Sequence, residues 1–280
     1  MPAHPYYRGR TAALATRHGK HALIAPELGS LGLHVVLADQ VDTDTFGTFT
    51  GDRARSGSAT ETAEAKARAA LTCLGIPLGL ASEGTFGPHP ASPFLPIDVE
   101  LIAFVDTDRD LVVLGRAHST KVTWHTRTAI PGEDLTGFLT TVGFPEQGLV
   151  VHPTGQPEHA VKGITDLATL YAAIASAYQH DDGNPVVLAT DLRAHHNPHR
   201  RIVIRDAATD LATRLDTPCP LCHSPGFGPE RTRLGRPCAD CDTPTNETAA
   251  VIHVCPRCTH EQEVGVDGAG DPRWCPTCNP

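Results

Sequence analysis

Short apolar runs bounded by Gly, Pro or Asp recur along most of the chain: Thr11 to Ala15, Leu33 to Ala38, Leu78 to Ser82, Val99 to Asp106, Leu111 to Ala117, Leu149 to His152 and Val186 to Thr190. Their length and composition predict β-strands. Between them, helical patterns run from Lys20 to Leu31, Ser58 to Leu74, Lys162 to Tyr178 and Pro198 to Leu215. Strands interleaved with helices predict an α/β sheet. The stretch Val99 to Ala117 has the look of an antiparallel hairpin, so the sheet is expected to be mixed.

Ser58 followed by Glu61 is a capping-box signature, and Glu64 with Arg68 adds a favourable pair one helical turn apart. The helix they open is rich in alanine. Its small residues Ala63, Ala67, Ala69 and Ala70 would let it approach a sheet closely and hold Glu61, Glu64 and Lys66 near a strand end. After Asp216-Thr217-Pro218 the apolar periodicity fades and cysteines crowd in. The chain therefore divides into an α/β part, residues 1–216, and a small tail, residues 217–280.

A length of 280 residues suits about two domains. With 40% apolar and 20% charged residues, most of the chain can bury a core. The formal net charge of −9 disfavours non-specific binding to DNA or to an anionic membrane, so any anionic ligand must be met locally. No run reaches the ~18 apolar residues that a membrane helix needs, and Met1 to Arg10 lacks the apolar core of a secretory signal. These features lead to the expectation of a soluble cytoplasmic protein without membrane attachment.

Eight of the nine cysteines form four CxxC pairs after residue 217, and Cys73 stands apart as a small residue inside the alanine-rich helix. Cys219/Cys222 and Cys238/Cys241 are separated by 15 residues, and Cys255/Cys258 and Cys275/Cys278 by 16, spacings that fit two four-cysteine zinc ribbons. A crossed arrangement, joining Cys219/Cys222 with Cys255/Cys258, fits as well. Thiolate sulfur suits zinc, and a closed four-ligand shell leaves no place for water, so both ions are expected to be structural. Redox CxxC chemistry is the alternative. The tail carries five basic and eight acidic residues, which argues against a reader of the phosphate backbone. A stabilising appendage, or one that docks a protein or a structured RNA with Phe227 and Trp274 as possible anchors, fits better.

In the larger part, Thr16-Arg17-His18-Gly19-Lys20 follows a strand and opens a helix, where a flexible Gly, free backbone N–H groups and cations favour an anion. Any loop of this kind can hold Gly and Lys, so the pattern needs support from elsewhere. Asn197 is a good N-cap and Pro198 suits the first helical position. Arg200 and Arg201 then fall in a first turn that disfavours cations, which calls for a bound anion or an acidic partner such as Asp191 or Asp206. Glu83 in Ser82-Glu83-Gly84 is expected at the sheet's carboxyl edge, either beside a phosphate site as a Mg2+ ligand or as a loop brace. Asp42, Asp44 and Glu100 add further carboxylates. The 16 His residues are scattered and show no HExxH pattern, which disfavours a catalytic zinc centre.

Taken in order, these motifs resemble those of the inosine triphosphate pyrophosphatase and Maf-like superfamily. Thr16 to Lys20 is similar to that family's Thr-x-Asn-x-x-Lys loop, with His18 in place of Asn. Glu61-Thr62-Ala63-Glu64-Ala65-Lys66-Ala67 is similar to its Glu-Asn-Ala-x-x-Lys-Ala helix, Ser82-Glu83-Gly84 to its acidic strand end, and His196, Arg200 and Arg201 to its late Ser-His-Arg. The resemblance implies a mixed-sheet α/β domain of that type followed by a tandem zinc ribbon. Nearly the whole chain also resembles an uncharacterised bacterial family, a domain of unknown function. The HGK loop, Asp42 to Phe49, Ser82 to Pro90, Arg193 to Pro198 and the tandem cysteines mark that likeness.

The function expected is Mg2+-dependent hydrolysis of a nucleotide-like phosphoanhydride. Lys20, Glu83, Glu64, Asp44 and His195 are the candidate catalytic groups. Arg17, His18, Lys66, His89, Arg193, Asn197 and Arg200 are the candidate substrate contacts. A non-catalytic protein that binds a nucleotide or modified base and docks a protein or RNA through its ribbon is the alternative, and either reading allows a homodimer. Both require Lys20, Glu83 and Arg200 to meet at one pocket.

Overall fold

The computed structural model describes residues 6–17, 19–47, 57–90 and 92–280. His18, Thr48 and Phe49, which belong to the motifs above, lie outside the described residues. The first sheet contains β1 (Thr11–Ala15), β2 (His34–Leu37), β3 (Leu78–His89), β4 (Ser92–Asp106) and β5 (Leu111–Ser119) in the order β2-β1-β3-β4-β5. β1 runs parallel to β2 and β3, while β3, β4 and β5 are antiparallel, so the sheet is mixed.

Alternation along the strands gives the sheet two apolar faces. Leu80, Ile102 and Phe104 face a core built with α1 (His21–Gly29) and α5 (Pro198–Asp216), through residues such as Ile24, Ile204 and Leu211. On the opposite face, Ala13, Ala15, Ala81 and Ala103 meet Ala63, Ala67 and Ala70 of α2 (Ala59–Leu74). Small residues on both partners let the helix lie close to the strands. The capping box forms as the sequence predicts, with Glu61 N–H donating to Ser58 Oγ (3.2 Å) and Ser58 N–H to Glu61 Oε2 (2.8 Å).

The later strands form a second sheet instead of extending the first. β6 (Thr126–Ala129), β7 (Leu149–Pro153), β8 (Val161–Ile164) and β9 (Val186–Thr190) lie in the order β6-β9-β7-β8 and are antiparallel throughout. α3 (Thr136–Val142) and α4 (Leu167–His180) share their core. The helix predicted from Lys162 starts only at Leu167, where Asp166 caps it by accepting from Thr169 N–H, and Val161–Ile164 is β8. After β9 the chain returns through α5 to the first sheet, so the second sheet sits between β5 and α5 in sequence.

The cysteine-rich tail forms a third sheet, β10 (Gly228–Leu234), β11 (Thr248–Val254) and β12 (Glu261–Gly265), with β11 central. It is tied to the end of α5: Gly226 N–H donates to Arg214 O (2.9 Å), and Arg214 Nη1 donates to Leu114 O (2.8 Å). Among the described residues no helix is long and apolar enough to cross a membrane.

Candidate functional site

Beyond Ala15 the parallel pairing stops, yet β3 continues to His89 alongside β4. Glu83 therefore lies inside a strand, not at a strand end as the sequence suggests. The antiparallel partner carries β3 through Gly84, Gly87 and Pro88, which read locally as a loop. Because β1 is shorter, residues 82–84 overhang the loop that follows it, and a cleft opens there. Among its lining residues are Arg17, Lys20, Asp44, Lys66, Glu83, Arg193 and Arg200. The cleft is half open, with a cavity volume of about 60 Å3.

Lys20 stands immediately before α1 and is 8% exposed. Among the described residues its ammonium makes one hydrogen bond, to Ser82 Oγ at 3.1 Å, although a lysine carries three donors. Burial pulls its pKa down to about 8, an effect opposed by Glu100 and Glu83 and reinforced by Arg200 and Lys66. No side chain caps the start of α1, and its first turn holds no acid. A buried ammonium with spare donors beside an uncapped helix start is a favourable place for an anion.

Arg200, at 3% exposure, reaches the cleft from the first turn of α5. Its Nε donates to Glu100 Oε1 (2.5 Å) and its Nη1 to Leu192 O (2.7 Å). The acidic partner that the sequence requires is thus Glu100 on β4, neither Asp191 nor Asp206. Gly84 lies opposite Glu100, and a Cβ there would collide with both Glu100 and Arg200. The arginine crosses the strand over the one residue that leaves it space.

Asp98, two residues before Glu100 on the same face of β4, is 2% exposed and was missed by sequence reasoning. Burial, reinforced by Glu100 and opposed by Arg200 and Lys20, pushes its pKa up to about 7. Asp98 Oδ1 and Glu100 Oε2 have no hydrogen-bond partner among the described residues. A signal was available, because Asp98 and Glu100 alternate with Val99 and Leu101 and so share a face with the buried Ile102 and Phe104. Acids on a core-facing register are costly unless cations meet them.

From the other side, Lys66 of α2 donates to Glu83 Oε2 at 2.7 Å, with both side chains buried. Arg17 pairs with Asp44 (2.8 Å) and Asp42 (3.0 Å) at the half-open rim. Exposed pairs of this kind stabilise little and break easily in favour of a ligand. Arg193 forks onto Asp191 through Nε and Nη2. Burial alone would raise the Asp191 pKa, but these hydrogen bonds and the guanidinium charge outweigh it and hold the carboxyl below its ordinary range.

Four of the proposed site residues do not line this cleft. Glu64 points away on α2, where Arg68 donates to it, and lines a separate cavity against the tail. His89 lies at the far end of β3. His195 is exposed and packs its ring on His196, with burial first among the causes that lower its pKa. Asn197 is consumed in capping α5, its Oδ1 accepting from Arg200 N–H at 2.9 Å.

In the tail, the cysteines form two quartets whose ligand atoms all lie within 4.8 Å of one another. They are crossed: Cys219, Cys222, Cys255 and Cys258 make an inner quartet, and Cys238, Cys241, Cys275 and Cys278 an outer one. The sequential grouping does not form, because antiparallel pairing sets the start of β10 beside the end of β11. Each quartet thus staples one end of the sheet. A tetrahedral zinc with Zn–S of about 2.3 Å needs sulfurs about 3.8 Å apart. The contacts Cys219–Cys258 (3.8 Å), Cys222–Cys255 (3.6 Å), Cys238–Cys278 (3.9 Å) and Cys241–Cys275 (3.6 Å) fit, so the quartets could hold two zinc ions. Cys73 lies apart, half-buried at the edge of the α2 core.

Fold and sites together define a mixed α/β protein with a cation-lined cleft and a tail built on two four-cysteine clusters. The family model described as Domain of unknown function (DUF6671) matches residues 66–280, and the chain belongs to that family. The match includes Lys66, Glu83, Glu100, Arg193, Arg200 and both quartets; Arg17, Lys20 and Asp44 lie before it. No curated protein matches the chain.

Proposed function

We propose that the cleft binds the phosphates of a nucleotide-like phosphoanhydride and that the protein hydrolyses it. The observation that carries this reading is Lys20, a buried ammonium with one hydrogen bond among the described residues, at the mouth of an uncapped helix. Its remaining donors would bind phosphate oxygens, and Arg200, held by Glu100, would stabilise charge that develops on the leaving group. Arg17 and Arg193 would exchange their rim contacts for the outer phosphates.

Mg2+ commonly takes one or two carboxylates together with substrate phosphates. Glu83 and Asp44, which both line the cleft, would be those carboxylates. The ion would supply neutralisation of phosphate charge. Glu83 would orient the attacking water once ligand charge draws Lys66 away from it.

A second reading is binding without turnover, with the tail docking a protein or RNA partner. The direct Lys66–Glu83 bond favours it, because a carboxylate already neutralised is a poor metal ligand and base. Incubation with Mg2+ and a panel of nucleoside triphosphates separates the two. Release of phosphate or pyrophosphate that is lost in Glu83→Gln supports hydrolysis, and binding of a triphosphate without release supports the second reading. Neither binding nor release contradicts both.

A further inference from the structure

The two quartets have the same ligand set but different surroundings. The inner quartet lies against the body of the protein. Phe227 packs on Cys219 and Cys255, and the chain around it is pinned by Gly226 N–H to Arg214 O (2.9 Å), Phe227 N–H to Thr217 O (3.2 Å) and Tyr6 Oη to His223 O (2.7 Å). Cys222 and Cys258, its outermost members, are half-buried. In the outer quartet Cys241 and Cys278 are exposed, and the neighbouring Trp274 is 58% exposed.

Backbone N–H groups meet sulfur in both quartets, and among the described residues more of them do so in the inner one. In the inner quartet Leu221 N–H donates to Cys219 (3.4 Å), Arg257 and Cys258 N–H donate to Cys255 (3.4 and 3.5 Å), and the backbone of Ser224 and His260 donates to Cys222 and Cys258. In the outer quartet Asp240 N–H donates to Cys238 (3.5 Å), and the backbone of Cys241 and Thr243 donates to Cys238 and Cys241. Such N–H donors hold the sulfurs in position as ligands, and outer contacts of this kind commonly change metal affinity 10–100-fold.

We propose that the inner quartet keeps its zinc as a weld between the tail and α5, while the outer quartet is a labile site that exchanges zinc with its surroundings. A chelator reaches the exposed Cys241 and Cys278 without moving the body, whereas the inner ion is approached past the half-buried Cys222 and Cys258, in a segment pinned to Arg214 and Thr217. Each departing ion leaves as its chelate and the four thiolates take up protons from water; nothing is oxidised or reduced.

The test uses the full chain loaded with two zinc ions and challenged with EDTA, release being followed with a fluorescent zinc indicator. One ion is expected to leave at least ~10-fold faster than the other. Cys241→Ser is expected to remove the fast phase and leave one slowly released zinc. A single rate for both ions, or a fast phase that persists in Cys241→Ser, overturns the proposal. Iodoacetamide footprinting of the loaded wild-type chain gives a readout that needs no variant. Among the eight ligand cysteines, Cys241 and Cys278 are expected to react first, and earlier modification of Cys222 or Cys258 overturns it equally; Cys73, outside both quartets, reacts independently.

Discussion

Lys66 on α2 and Glu83 on β3 meet at 2.7 Å with both side chains shut away from water. Removing one partner of a buried pair strands the other and commonly costs about 3–5 kcal/mol, whereas replacing both with apolar groups costs much less. Lys66→Met is therefore expected to lower the urea midpoint strongly, and Lys66→Met combined with Glu83→Leu to recover much of the loss. A double variant as unstable as the sum of the singles would show that the two side chains act independently.

Gly84→Ala should injure the cleft without replacing a charged residue. The added methyl group meets the side chains of Glu100 and Arg200, both of them buried. The expected result is a stability loss of roughly 1–3 kcal/mol by overpacking, together with weaker binding of a triphosphate analogue. Unchanged melting and binding would mean that Arg200 is not held where the structure places it.

Asp98 makes stability depend on pH. Its pKa of about 7 in the fold lies above the ordinary aspartate value, with burial as the main cause. The folded chain therefore keeps a proton that the unfolded chain has released, and stability falls as pH rises towards 7. Asp98→Asn removes that loss. It is expected to stabilise the fold more at pH 8 than at pH 5.5, by a difference on the order of 2 kcal/mol in unfolding free energy, seen as a larger rise in melting temperature at pH 8. Equal gains at both pH values would show that the carboxyl titrates normally.

Elements set by neighbouring residues were legible in the sequence. Thr11–Ala15 and Val186–Thr190 are strands over their predicted lengths, and Ser58 with Glu61 marks the start of α2 to the residue. What distant partners decide was hidden. Glu83 looks like a strand end because glycines follow it, yet β4 pairs with β3 as far as His89. The split into two sheets escaped notice because β9 bonds to β6 and β7, and Thr126–Ala129 has too little apolar character to signal a strand. The cysteine spacings leave both groupings open, and the antiparallel register of β10 and β11 selects the crossed one. Lys20, Glu83 and Arg200 do share one cleft, but that Glu100 is the acid pairing with Arg200 there, with Asp98 buried beside it, shows only in the alternation of β4.

The most direct measurement is calorimetric titration, at pH 7, of the wild-type chain and of Lys20→Ala with a non-hydrolysable nucleoside triphosphate analogue and Mg2+. A buried ammonium bonded to phosphate contributes about 1.5–3 kcal/mol, so Lys20→Ala is expected to bind roughly 10–100-fold more weakly while staying folded by circular dichroism. Equal affinity in the two proteins, or no binding to the wild type, would contradict a phosphate site at this cleft.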